Sequence, residues 1–126
     1  MAHRPSATDW IARVAAIEAG ATGLLLLASP PLFARLILGA DLTEPGSALG
    51  RLGGVVLIGL ALACWPAPTA SVAQLRALTI YNLLVGADLA WLGSTGPAGV
   101  LLWPAVILHV ALAFLVARAW RQARRA

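Results

Sequence analysis

A chain of 126 residues that is 60% hydrophobic and only 11% charged has the composition of a protein made for lipid. At about 20 apolar residues per crossing, four spans use roughly 80 residues, which leaves short loops and no room for a separate soluble catalytic domain. The net charge of +4 does not point to nucleic acid, because Arg118, Arg121, Arg124 and Arg125 cluster behind a long apolar run. That placement predicts a cytoplasmic stop in contact with anionic lipid headgroups.

Taken in chain order, Ser6-Ala-Thr-Asp9 has capping-box spacing and predicts a helix start. The first span then runs from about residue 11 to 28 and ends at Ser29-Pro30-Pro31. A signal peptide is the rival reading, but Glu18 interrupts its core and no A-x-A cleavage site follows Leu27. Pro31 to Leu38, closed by Gly39, is too short to cross. It predicts an interfacial helix with the Arg35 guanidinium in water. Asp41 to Ser47, with Glu44-Pro45-Gly46, reads as a solvated turn.

The second span is expected over about 49–65, the third over 72–92 before the breaker run Gly93 to Pro97, and the fourth over 98–120. Pro104, a turn inside the fourth span, predicts a kink. The fold class is therefore all-α: one domain, an integral membrane bundle of four transmembrane helices with a short interfacial helix in the first loop. With both termini cytoplasmic, Arg4, Arg13, Arg76 and the four C-terminal arginines lie inside, against Arg35 and Arg51 outside. A bacterial inner membrane is the expected location, on the positive-inside count and on a composition that has arginine but no lysine. Lone Cys64 reads as a small buried hydrophobe.

In lipid, helices associate through small residues that let backbones approach. Ala12, Ala16 and Gly20, with Ala15, Ala19 and Gly23 beside them, form such rows in span one. Gly50 and Gly54 do so in span two, and Ala105, Ala113 and Ala117 in span four. These rows serve an internal bundle or a homodimer equally well.

Ionisable groups at membrane depth require a partner, a cavity or a role. Glu18 and Arg76 fall at similar depths from the cytoplasmic side, Asp88 and Arg51 near the other side, and Asn82 and His109 near the midplane. This predicts the polar pairs Glu18 with Arg76, Asn82 with His109, and Asp88 with Arg51. Gln74, Tyr81 and Asp88 share one face of span three at heptad spacing, which predicts the face turned from lipid. Such pairs act as glue between helices. Alternatively Glu18, His109, Asn82 and Tyr81 hold a proton, a cation or a small ligand. No metal or other cofactor is expected, since no second histidine lies in a span.

The interfacial Leu32-Phe-Ala-Arg-Leu-Ile-Leu-Gly39, followed by Gly50-Arg51-Leu52-Gly53-Gly54 opening the second span, resembles the small bacterial DoxX-like four-helix membrane proteins. The resemblance implies the fold, and a buried structural or ligand-contacting role for Arg51. Ala15-Ala-Ile-Glu18-Ala-Gly-Ala-Thr22 is locally similar to the small multidrug resistance transporters, which carry one essential glutamate in the first helix. The long loop from Ser29 to Ser47, the C-terminal arginines and Thr79-Ile-Tyr-Asn82 depart from that family. The expected function is non-enzymatic: an accessory or small-ligand-binding membrane protein. The alternative is a proton-coupled exporter in which Glu18 alternates between proton and cationic substrate.

Overall fold

Ser6 opens the first helix as the spacing predicts. Its Oγ accepts from Asp9 N at 3.2 Å while Asp9 Oδ2 accepts from Ser6 N at 2.8 Å. The computed structural model describes residues 6–125, so Arg4 and His3 lie outside the described residues. Five helices follow: α1 (Ala7–Ala28), α2 (Pro30–Ile37), α3 (Glu44–Ala63), α4 (Val72–Thr95) and α5 (Leu102–Ala123). All but α2 are long and apolar enough to cross a membrane, which makes this an all-α, four-span architecture.

Helix starts account for the shifted span boundaries. Thr43 Oγ1 accepts from Gly46 N at 3.3 Å and Pro45 falls in the first turn, so α3 begins inside the segment expected to be a solvated turn. The last span starts at Leu102 rather than at 98. Pro104 consequently sits in its first turn, where an N–H would lack an intrahelical acceptor anyway, and the expected reason for a kink disappears. At the other end of α4, Ser94 Oγ and Thr95 Oγ1 donate to Trp91 O at 2.8 and 2.9 Å and carry the helix past Gly93.

The long helices pack as two antiparallel pairs, α1 on α3 and α4 on α5, joined chiefly through α1 against α5. Glycine decides the first pair. A Cβ on Gly54 would lie 2.6 Å from Gly23 O and 2.7 Å from Leu27 N, so the backbones are in contact. Ala12, Ala15, Ala16 and Ala19 are buried along the same helix. Gly86 acts similarly in the second pair, where an added Cβ would lie 3.4 Å from His109 Cβ.

At the chain-terminal end, Ala12, Ala15, Cys64, Leu75, Leu78, Leu112 and Val116 form one apolar core. Asp9 fastens the α3–α4 loop to it by accepting from Ala70 N at 2.8 Å through Oδ1. Gln74 Nε2 donates to Ala63 O and Trp65 O, closing the end of α3. Asp9→Ala removes both a cap and a loop tie from a residue only 1% exposed, and should lower stability by about 1–3 kcal/mol in thermal or denaturant unfolding.

At the far end α2 is more than a surface helix. Pro30, Ala34 and Ile37 are buried, and Gly99 N and Leu101 N donate to Ile37 O and Leu36 O at 2.9 and 2.8 Å. This pins α2 to the α4–α5 loop, with Gly99 packed directly on Leu36 and Arg35 backbone. The Arg35 guanidinium faces outward, as expected, and meets Asp41 at 2.8 Å with both side chains mostly exposed. Arg35→Ala should therefore change the melting behaviour by no more than about 0.5 kcal/mol.

Candidate functional site

Five polar side chains from three helices meet in the middle of the bundle. Glu18 lies eleven residues into α1, or about 16 Å along its axis, in the central part of the span. Its Oε1 accepts from Thr22 Oγ1, one turn on, at 3.0 Å and faces His109 Nε2 of α5 at 3.6 Å. On the other side of the imidazole, Nδ1 lies 2.9 Å from Asn82 Oδ1 of α4. Tyr81 stands edge-on to the same ring, with centroids 5.7 Å apart and planes at 81°.

The hydrogen-bond roles in this chain follow from its outer end. Asn82 Nδ2 donates to Leu78 O at 2.8 Å, which turns Oδ1 toward the imidazole as an acceptor. His109 must then carry its hydrogen on Nδ1, and in the neutral ring Nε2 presents a bare lone pair toward Glu18. A lone pair and a carboxylate oxygen facing each other need one proton between them, or a donor from elsewhere. Glu18 Oε2 is sealed from solvent with no hydrogen-bond partner among the described residues. The cluster is thus short of a donor.

The space beside it is an apolar cavity of about 680 Å³ between α1, α2, α4 and α5, with Leu57 of α3 at its edge. Its walls include Leu26, Phe33, Ile37, Leu84, Val85 and Leu92, while Glu18, Thr22, Tyr81 and His109 supply its polar part and Asp88 a second carboxylate. Among the described residues no lysine or arginine lines it. A volume in this range, largely apolar with a few convergent polar groups, matches the ordinary dimensions of a small-molecule site.

Two of the three expected pairs do not form. Glu18 does not meet Arg76: the arginine sits only four residues into α4, so the two differ in depth by about 10 Å. Arg76 instead borders a pocket with Trp120 and Arg124. Asp88 and Arg51 match in depth but not in position around the bundle, because α3 packs mainly on α1 while Asp88 faces the cavity. Arg51 is exposed, not the buried arginine implied by the DoxX-like resemblance. Of the heptad face on α4, Tyr81 and Asp88 border the cavity. The buried stripe runs instead through Leu75, Leu78, Thr79, Asn82, Gly86 and Leu89.

Thr22, Phe33 and Ile37 escape sequence reading. A threonine four residues after Glu18 on the same helix is the one signal that points to the first. Nothing local shows that α2 folds back over the cavity. Comparison with protein-family models, with curated proteins and with solved structures finds no match for this chain.

Proposed function

We propose that this is a small-ligand-binding membrane protein whose ligand is an apolar amine, bound with its ammonium between Glu18 and His109 and its hydrocarbon body along the cavity. The observation that carries the reading is the donor deficit. Among the described residues Glu18 Oε2 is unpaired and His109 Nε2 presents a lone pair, beside a cavity lined by two carboxylates and by no lysine or arginine. An ammonium supplies several N–H donors and a compensating charge at once. A carboxylate ligand would meet repulsion. The setting proposed is the inner membrane of a bacterium with both termini cytoplasmic, in a layout that resembles the DoxX-like class.

Dodecylammonium, dodecanol and dodecanoate differ only in the head and form a direct test on the full chain in lipid nanodiscs. One dodecylammonium per chain is expected to bind, dodecanol more weakly and dodecanoate not at all. Val85→Trp, which fills the cavity and leaves Glu18 in place, should abolish binding. Equal binding of all three, or binding undisturbed by Val85→Trp, would overturn the proposal.

A proton held between Glu18 and His109 in the empty site would support a second reading, proton-coupled export of such a cation. An ammonium entering the site displaces that proton, so binding and proton release are linked. Proteoliposomes carrying an outward cation gradient distinguish the two: an exporter moves protons inward in exchange and Glu18→Gln does not, whereas a binding protein shows no flux in either form.

A further inference from the structure

The pocket that takes Arg76 away from Glu18 has a chemistry of its own. It is about 500 Å³ in volume, lies at the chain-terminal end of α4 and α5, and is lined by Val72, Ala73, Arg76, Trp120 and Arg124. Among the described residues its charged groups are two guanidiniums, and no acid lines it. Arg124 is held over the Trp120 ring, its guanidinium carbon 5.7 Å from the centroid, so it is directed by an aromatic wall rather than by an anion. Neither Arg76 nor Arg124 has an ion-pair partner among the described residues.

The backbone adds to this. Val72 and Ala73 are the first two residues of α4, ahead of the first intrahelical bond at Leu75 N to Ser71 O. The capping box at Ser71 and Gln74 satisfies the N–H groups of those two residues and leaves those of Val72 and Ala73 for another acceptor. The start of α4, with the positive end of its dipole, therefore borders the same pocket as both guanidiniums.

The geometry points to a stoichiometric site for one anionic phospholipid headgroup, with the phosphodiester held between Arg76 and Arg124 at the start of α4. This differs from the diffuse attraction expected of the C-terminal arginines as a group. Arg118 lies over Phe114, 5.7 Å from its centroid, and does not line this pocket. A phospholipid is favoured over free phosphate because the pocket opens at the ends of two spans, where the apolar surface of Val72 and Trp120 can meet the acyl chains.

The test is native mass spectrometry of the full chain in detergent, titrated separately with dioleoyl phosphatidylglycerol, dioleoyl phosphatidylcholine and inorganic phosphate. One phosphatidylglycerol per chain should be retained in preference to phosphatidylcholine, and Arg76→Gln or Arg124→Gln should weaken it by about tenfold. Arg118→Gln should leave it within about threefold, as expected for a charge acting from a distance. Both pocket arginines are exposed, so the variants should fold, and Arg76→Lys checks this by keeping the charge and most of the binding. Equal losses for Arg118→Gln and Arg76→Gln, equal retention of phosphatidylcholine, or saturation by inorganic phosphate in place of lipid would each overturn the assignment. The site does not depend on the cavity around Glu18, so either can fail alone.

Discussion

Replacing Glu18 with leucine should leave the bundle at least as stable as the native chain and abolish dodecylammonium binding. The two halves of this expectation have separate causes. A carboxyl with one oxygen unpaired in apolar surroundings has lost its hydration without full compensation, and substituting an apolar side chain of similar size removes that deficit. The ammonium meanwhile loses its only adjacent charge. A hydrogen bond to a charged partner contributes about 1.5–3 kcal/mol, so Glu18→Gln should weaken binding by roughly tenfold to a hundredfold, and leucine by more. Thermal unfolding and ligand titration of the three proteins in one detergent check both halves. If Glu18 only fastened α1 to α5, stability would fall and binding would follow it down. Asn82→Leu provides the contrast. It strips His109 Nδ1–H of its acceptor and should lower stability by about 1–3 kcal/mol, with binding affected through the tautomer.

Gly54→Val should give the largest loss of stability of any glycine-to-valine substitution within α3. The first added carbon would already stand 2.6 and 2.7 Å from backbone atoms of Gly23 and Leu27, neither of which can rotate away as a side chain could. The α1 and α3 axes must therefore separate along their whole contact. Overpacking in a well-packed core costs typically about 1–3 kcal/mol, and a backbone clash belongs at or above the upper end of that range. Gly53→Val and Gly59→Val are the controls: nothing lies within 4 Å of a Cβ at either position, and both should be close to neutral. Unfolding measured by accessibility of buried Cys64 to a thiol reagent reports the difference, because Cys64 lies in the core that α1 and α3 share. Equal losses at Gly53 and Gly54 would mean that glycine serves α3 itself rather than its contact with α1.

How far the sequence reveals this molecule depends on the reach of each interaction. Span number, the cap at Ser6 and Asp9, and the small-residue face of α1 are local or periodic properties and can be read directly from residue order. Counting residues puts Asn82 and His109 at matching depth, and the structure brings them within 2.9 Å. Depth alone could not decide Asp88 and Arg51, because it says nothing about which helix stands beside which. With α3 set against α1, their angular positions separate them despite equal depth. The Glu18 and Arg76 expectation failed on depth itself, since α1 begins at Ala7 and places Glu18 nearer the middle than a start at residue 11 suggests. The cavity was beyond sequence reading for a further reason. It exists because α2 is fastened by two backbone hydrogen bonds to the α4–α5 loop, more than 60 residues away, and no side-chain pattern encodes such a contact.

The most direct measurement on the Glu18 and His109 pair is the ¹⁵N spectrum of imidazole-labelled protein in lipid at neutral pH, taken with and without dodecylammonium. The chain has two histidines, so His3→Ala leaves His109 as the sole signal. The expected result is a ring protonated at Nδ1, with an Nε2 resonance that shifts on addition of the amine and does not shift in Glu18→Gln. A ring protonated at Nε2 with Nδ1 bare, or an Nε2 resonance indifferent to the amine, would contradict a ligand site at this pair.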